Sequence, residues 1–262
     1  MTLPDRWADL PVRLGSAVVL IGVGGAEMWI GGIGFNALVA VICGAMIWEL
    51  VRMLSPVQVR LGVALAFAGG AAALALAYLP QVWGLGGLGA VVVAGGMTLT
   101  EGRRVWTGYA PVILLAGLSL IALRAGFGAG WLIWLVAIVI ASDVLGYFAG
   151  RLIGGPKFWP RVSPKKTWSG TVAGWIGAGL VGWAAMAPLG AGVALVPLSV
   201  VLAMAAQLGD IAESAVKRRA GVKDSSRLIP GHGGVMDRFD GMVGAAVMLL
   251  LAGPVVGLPG GV

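Results

Sequence analysis

The chain has 262 residues, 59% of them hydrophobic and only 11% charged, with a mean hydropathy of +0.96. A soluble domain carries about 25% charged residues, so a soluble globular fold and a disordered chain are both excluded. With Cys43 as the single cysteine, so is a disulfide scaffold; the composition is that of an all-α, polytopic integral membrane protein.

A helix needs about 20 apolar residues to cross the hydrocarbon core, and the uncharged runs come in multiples of that length. The first crossing is expected over residues 11–27, where Gly22, Gly24 and Gly25 lower helix propensity and Glu27 ends the run. A signal peptide with Arg6 and Arg13 as its charged start is the alternative. Residues 30–50, with Cys43 as a buried apolar thiol, form the second span. Residues 61–100 carry no charge and divide at Leu79-Pro80-Gln81 into two helices. The second contains Gly84-Leu85-Gly86-Gly87-Leu88-Gly89, a dinucleotide-like glycine pattern without the preceding strand that would give it meaning. Spans at 105–123 and 125–142 follow, then an uncharged stretch, 167–209, that breaks near Pro188-Leu189-Gly190 into two, and a last span at 241–260. This makes nine spans. An N-terminal transmembrane region of about five spans covers 1–130, and a catalytic region over 131–262 carries two cytoplasmic loops, 151–168 and 212–238.

The charges test the count. With the N-terminus cytoplasmic, Arg6, Arg13, Arg52, Arg60, Arg103 and Arg104 fall inside, together with the basic residues between Arg151 and Lys166 and those between Lys217 and Arg238. Only Arg124 faces out, as the positive-inside rule requires. That asymmetry accounts for most of the net charge of +7 without nucleic acid. No basic run is interleaved with aromatics in the way a single-strand binder needs.

An ionisable group inside a span is costly and points to function, and most such acids lie in the second region. Asp143 shares a helical face with Tyr147 and Arg151, which suits a substrate pocket or, alternatively, an internal tether. The loop from Arg151 to Gly170 is basic and acid-free. It ends in Ser163-Pro164-Lys165-Lys166-Thr167 before a helix start, an arrangement suited to a polyphosphate or to anionic lipid. At the end of the eighth span Asp210, Glu213, Ser214 and Lys217 share one face. Two carboxylates one turn apart repel unless a cation lies between them, and Mg²⁺ takes one or two carboxylates plus phosphate oxygens; salt bridges to Lys217 are the alternative. Beyond Lys223 comes Pro230-Gly231-His232-Gly233-Gly234, where glycines let backbone N–H groups approach an anion. Asp237 and Asp240 then repeat the acid pair. His232 is the chain's single histidine, which argues against zinc.

Cations and carboxylates at one membrane face suit phosphoryl or nucleotidyl transfer, in which cations neutralise phosphate oxygens and carboxylates hold a divalent metal. An ion-coupled transporter would spread its acids through the membrane depth, and an inert scaffold would not need Asp210, Lys217 and Asp237 together.

Residues 214–240, SAVKRRAGVKDSSRLIPGHGGVMDRFD, resemble the hallmark motif of the bacterial phosphatidate cytidylyltransferases, or CDP-diacylglycerol synthases. The match includes Ser214, Lys217, Arg218, Lys223, Asp224, Ser226, Ile229, Pro230, His232, Gly233, Gly234, Val235, Asp237, Arg238, Phe239 and Asp240. Asp143-x-x-Gly146-Tyr147-x-x-Gly150-Arg151, Ser163 to Thr167, and Gln207-x-Gly209-Asp210-x-x-Glu213-Ser214 are also similar to family motifs. One departure is Ser169, where many members carry Glu. The resemblance implies that CTP and phosphatidate give CDP-diacylglycerol and pyrophosphate, with Mg²⁺ and a monovalent cation such as K⁺, in a homodimer of the bacterial inner membrane. It implies Asp210, Asp237 and Lys217 as catalytic residues and Asp210, Glu213, Asp237 and Asp240 as metal ligands. Asp143, Arg151, Ser163, Lys165, Lys166, Thr167, Ser214, Arg218, Lys223, His232, Gly233, Gly234 and Arg238 would contact the nucleotide or its phosphates. A CTP-dependent polyprenol or phytol kinase is the enzyme alternative.

Overall fold

A computed structural model of the chain describes residues 10–160 and 162–256. Arg6, Arg161 and the end of the last span, 257–260, therefore lie outside the described residues. Within them the chain forms nine α-helices: α1 (Leu10–Ile30), α2 (Gly32–Leu54), α3 (Val59–Tyr78), α4 (Gln81–Thr98), α5 (Arg103–Phe127), α6 (Ala129–Leu152), α7 (Trp168–Ala185), α8 (Leu195–Arg219) and α9 (Met236–Val256). Seven of these, α1 to α6 and α8, are long and apolar enough to cross a membrane by length and composition. The breaks fall where the backbone chemistry demands them. Gly31 and Gly102 adopt φ +72° and +67° between helices, a region that only glycine enters without strain, and Pro80 stands immediately before α4.

Three helices run past their apolar stretches toward the loops. α6 continues to Leu152, α8 to Arg219, and α9 begins at Met236 rather than 241. Helical hydrogen bonding does not stop where the hydrophobic run stops, so Asp143 to Arg151, Asp210 to Lys217 and Asp237 to Asp240 sit on rigid helix ends and not on loops.

The segment between α6 and α7 departs from an all-helical reading only locally. β1 (Lys157–Trp159) and β2 (Ser163–Thr167) form an antiparallel hairpin pairing Lys157 with Thr167 and Trp159 with Ser163. Lys165 and Lys166 thus lie on a strand. Thr167 then caps α7, its hydroxyl accepting from Gly170 N at 3.3 Å.

The helices pack as close pairs, α2 with α3, α6 with α7 and α8 with α9. Small residues allow the approach: a side chain on Gly170 would strike the Gly146 carbonyl, and one on Gly244 the Ala205 carbonyl. One buried cluster runs from Phe35 and Cys43 through Trp106 to Leu249, so both halves of the chain share a core. Large apolar side chains such as Ile33, Phe67, Trp83 and Trp183 point outward, as a lipid-facing surface requires. The charged ends sort as the positive-inside argument predicts. Arg13 lies against Gly231, and Arg103, Arg104 and Arg219 border one cavity. Arg124 caps the other end of α1, donating to the Met28 and Trp29 carbonyls at 2.8 Å each.

Candidate active site

The C-terminal end of α8 carries the acidic stripe. Asp210 and Glu213 lie one turn apart, and α9 brings Asp240 alongside, so that one carboxylate oxygen from each lies within 4.8 Å of the others. Ser214 Oγ donates to Asp210 Oδ1 at 3.3 Å, and Gly241 N to Asp240 Oδ1 at 2.7 Å. Glu213 is fully buried, and neither of its oxygens has a hydrogen-bond partner among the described residues. Lys217 Nζ is 2.5 Å from Glu213 Oε2, close enough for an ion pair but not aligned for a hydrogen bond. Like charges at this separation cost on the order of 3 kcal/mol per pair at an effective dielectric near 20. Two lysines offset part of this cost: Lys217 from one side and Lys166, 2.5 Å from Asp210 Oδ2, from the other. Converging carboxylate oxygens with few hydrogen-bond donors fit a hard cation that prefers oxygen ligands. The three acids could hold a metal.

Lys166 also belongs to a second feature. A cavity of about 360 Å³ between α6, the hairpin, α7 and α8 is lined by Ser142, Asp143, Gly146, Tyr147, Gly150, Arg151, Lys165, Lys166, Thr167, Gly170, Thr171 and Gln207. Its volume is in the range of small-molecule sites. Gln207 forms part of the wall and is held from three sides, donating to Ser142 Oγ and the Thr171 carbonyl and accepting from Trp175 Nε1. Arg151 donates to the Tyr147 hydroxyl at 2.8 Å, so the tether on this face joins those two and leaves Asp143 to the cavity. Ser169 donates to the Gly154 carbonyl and pairs with the Thr167 hydroxyl, where its small side chain secures the hairpin.

The turn between α8 and α9 is organised by two carboxylates. Asp237 accepts from Lys217 Nζ at 2.6 Å through Oδ1, and through Oδ2 from Ser225 N, Ser225 Oγ and Gly234 N at 2.9, 3.0 and 2.8 Å. Its lone pairs are filled, which separates it from Asp210, Glu213 and Asp240. Glu49, from α2, is the second carboxylate and carries no sequence motif. It is fully buried and accepts from Ser225 Oγ, Ser226 Oγ, Val235 N and Met236 N. The one signal that could have found it is an acid embedded in the apolar run before Leu50. A second residue without a motif is Tyr109 on α5, whose buried hydroxyl has no partner among the described residues; Glu213, Asp240 and Asp210 are the charges acting on it.

The remaining candidates are spread around this centre. His232 Nδ1 pairs with Ser16 Oγ of α1 at 2.8 Å, and Gly233 closes a bridge to Ile229 at φ +88°. Arg218 donates to the Val222 carbonyl and so closes the end of α8. Lys223 and Arg238 are exposed. Ser163 is in the hairpin and outside the cavity wall.

Residues 11–254 match the cytidylyltransferase family. The chain is 38% identical to a phosphatidate cytidylyltransferase of Brucella abortus over 267 aligned residues, 96% of each chain. It is 33% identical to that of Mycobacterium bovis over 93% of this chain and 86% of the other. A phosphatidate cytidylyltransferase of Helicobacter pylori is 41% identical over half of each chain.

Proposed function

The chain belongs to the cytidylyltransferase family, and from that premise we propose that it transfers the cytidylyl group of CTP to phosphatidate, giving CDP-diacylglycerol and pyrophosphate. The observation that carries this reading is Lys166, which lines the basic cavity and at the same time pairs with Asp210 of the carboxylate cluster. A triphosphate among Arg151, Lys165 and Lys166 therefore meets the acids at its reacting end.

Asp210, Glu213 and Asp240 would hold Mg²⁺, because their oxygens converge and those of Glu213 are buried without hydrogen-bond partners. When bound, Mg²⁺ supplies neutralisation and polarisation of phosphoryl oxygens. The chain's own side chains do the rest. Asp143 and Thr167 bound the nucleotide pocket, and Lys165, Lys166 and Arg151 neutralise the phosphates. Lys217, held between Glu213 and Asp237, keeps a fixed positive charge beside the acids. The phosphate monoester of phosphatidate is already an anionic nucleophile, so no strong base is required. One of its oxygens bonds to the α-phosphorus of CTP. The bond from that phosphorus to the α,β-bridging oxygen breaks, and the electron pair leaves on pyrophosphate, which in this reading Arg218, Lys223 and Arg238 attract. In this reading Asp237 contributes through Lys217, and His232 through the turn it anchors to α1.

The placement serves the lipid. A site at the cytoplasmic ends of helices meets CTP from water and phosphatidate from the inner leaflet, with no carrier between them. The reading also includes a bacterial inner-membrane location, K⁺ as an accessory cation, a homodimer, and a catalytic region over residues 131–262 built onto the spans of 1–130. Incorporation from CTP labelled at the α-phosphorus tests the reaction. The expected result is phosphatidate-dependent label in lipid, with pyrophosphate released. Lipid labelled instead from the γ-phosphorus would mark a kinase, and no incorporation from either would end the proposal.

A further inference from the structure

Glu49 belongs to the half of the chain whose sequence reads only as apolar spans, yet it is one of the most completely hydrogen-bonded groups in the protein. It lies near the end of α2, fully buried, with four donors. Oε1 accepts from Ser226 Oγ at 2.5 Å and Val235 N at 2.8 Å; Oε2 accepts from Ser225 Oγ at 3.1 Å and Met236 N at 2.7 Å. Two of these donors are free N–H groups at the start of α9, where an anion is favoured by both hydrogen bonding and the helix dipole. A side chain on Gly234 would strike both Glu49 Oε1 and Ser225 Oγ, so the backbone there must remain bare for the grip to form.

Two routes lead from this grip to the acidic cluster. The first is polar. The Ser225 hydroxyl has one hydrogen and lies 3.1 Å from Glu49 and 3.0 Å from Asp237. Asp237 continues to Lys217 at 2.6 Å, and Lys217 to Glu213 at 2.5 Å. Every member of this path is buried or half-buried. The second is mechanical: Met236, whose N–H Glu49 holds, is one helical turn before Asp240 on α9.

We propose that Glu49 is a positioning residue for the metal-holding cluster: it fixes the 225–236 turn and the start of α9, and thereby the Lys217 ammonium that faces Glu213 and the carboxylate of Asp240. The inference rests on the reading that Asp210, Glu213 and Asp240 hold a divalent cation. It makes the N-terminal half part of the site and not only its membrane anchor.

Glu49→Gln keeps the shape but turns an NH₂ toward one of the backbone N–H donors. Leu50→Ala, a change at a fully buried neighbour outside the hydrogen-bonded path, serves as the control for plain loss of packing. Both are measured in lipid nanodiscs, by Mn²⁺ binding without substrate using electron paramagnetic resonance, and by kcat and the Mg²⁺ midpoint per folded enzyme. Loss of a partner that orients a metal ligand costs roughly 10- to 100-fold in metal affinity or activity. Glu49→Gln should show that loss in both readouts, while Leu50→Ala lowers thermal stability only. Should Glu49→Gln fail to fold, Ser225→Ala keeps the backbone grip and removes the hydroxyl bridge; it should weaken Mn²⁺ binding in the same direction, by about 5-fold for one hydrogen bond. Variants that bind Mn²⁺ and turn over like the parent overturn the proposal. A parent protein whose Mn²⁺ binding is unaffected by Asp210→Asn would instead remove the metal reading, and this inference with it.

Discussion

Two sets of carboxylates occupy one end of the helix bundle, and the chain treats them oppositely. Glu49 and Asp237 are each faced by four donors, from backbone N–H groups, serine hydroxyls and, for Asp237, the Lys217 ammonium, and they share the single hydrogen of the Ser225 hydroxyl. Glu213 accepts none beside its ion pair to Lys217, and Asp210 and Asp240 accept one each, Asp210 beside its ion pair to Lys166. A buried carboxylate whose lone pairs are filled by the chain acts as a strut, since removing it strands its donors. One whose oxygens lack hydrogen-bond donors beside two other acids is a cost to the fold that the neighbouring lysines offset in part and a bound cation would offset further. The same residue type thus serves as frame or as ligand according to what surrounds its oxygens.

The sharpest way to break this contrast is to neutralise one acid of each kind. Glu213→Gln should lower kcat by roughly 10²- to 10³-fold, the scale of a lost charge-stabilising group in an active site, while the metal-free protein melts no lower than the parent, because the repulsion and desolvation removed outweigh the lost ion pair to Lys217, which keeps Asp237. Unchanged turnover in Glu213→Gln would erase the distinction. Asp237→Asn should do the reverse in the melting experiment. Its amide must face an N–H donor, at a cost of about 1–3 kcal/mol, so the metal-free protein loses stability and Lys217 is left with Glu213 alone; a melting temperature equal to the parent's would show that the four bonds are not a strut. A smaller effect is expected at the junction with the cavity. Lys166→Ala removes one charge-assisted contact, worth about 1.5–3 kcal/mol, and should raise the KM for CTP about 10- to 150-fold. A kcat effect without a KM effect would move Lys166 from the nucleotide to the acids.

Much of this was legible in the sequence, and the pattern of what was not has a physical reason. The span break at Pro80, and the contacts of Ser214 with Asp210 and Lys217 with Glu213, follow from local rules: apolar run length, backbone punctuation and the i, i+4 spacing of a helix. The helix extensions were missed because hydropathy marks the membrane and not the helix. The hairpin at 157–167 was missed because a five-residue basic strand has no apolar alternation to announce it. Glu49 and Ser16 were missed because their partners lie 176 to 187 and 214 to 216 residues away; no periodicity within a span encodes which loop will fold onto it. For the same reason Asp237 and Asp240, identical in spacing to Asp210 and Glu213, could not be sorted until their neighbours were in place.

The central claim is that Asp210, Glu213 and Asp240 share a divalent cation. Anomalous diffraction at the manganese edge, from crystals grown with Mn²⁺ and CTP, addresses it directly. The account predicts a peak coordinated by those three side chains, with Lys217 still bonded to Asp237. A peak seated on Asp237 or Asp143, with the three acids unoccupied, would contradict it.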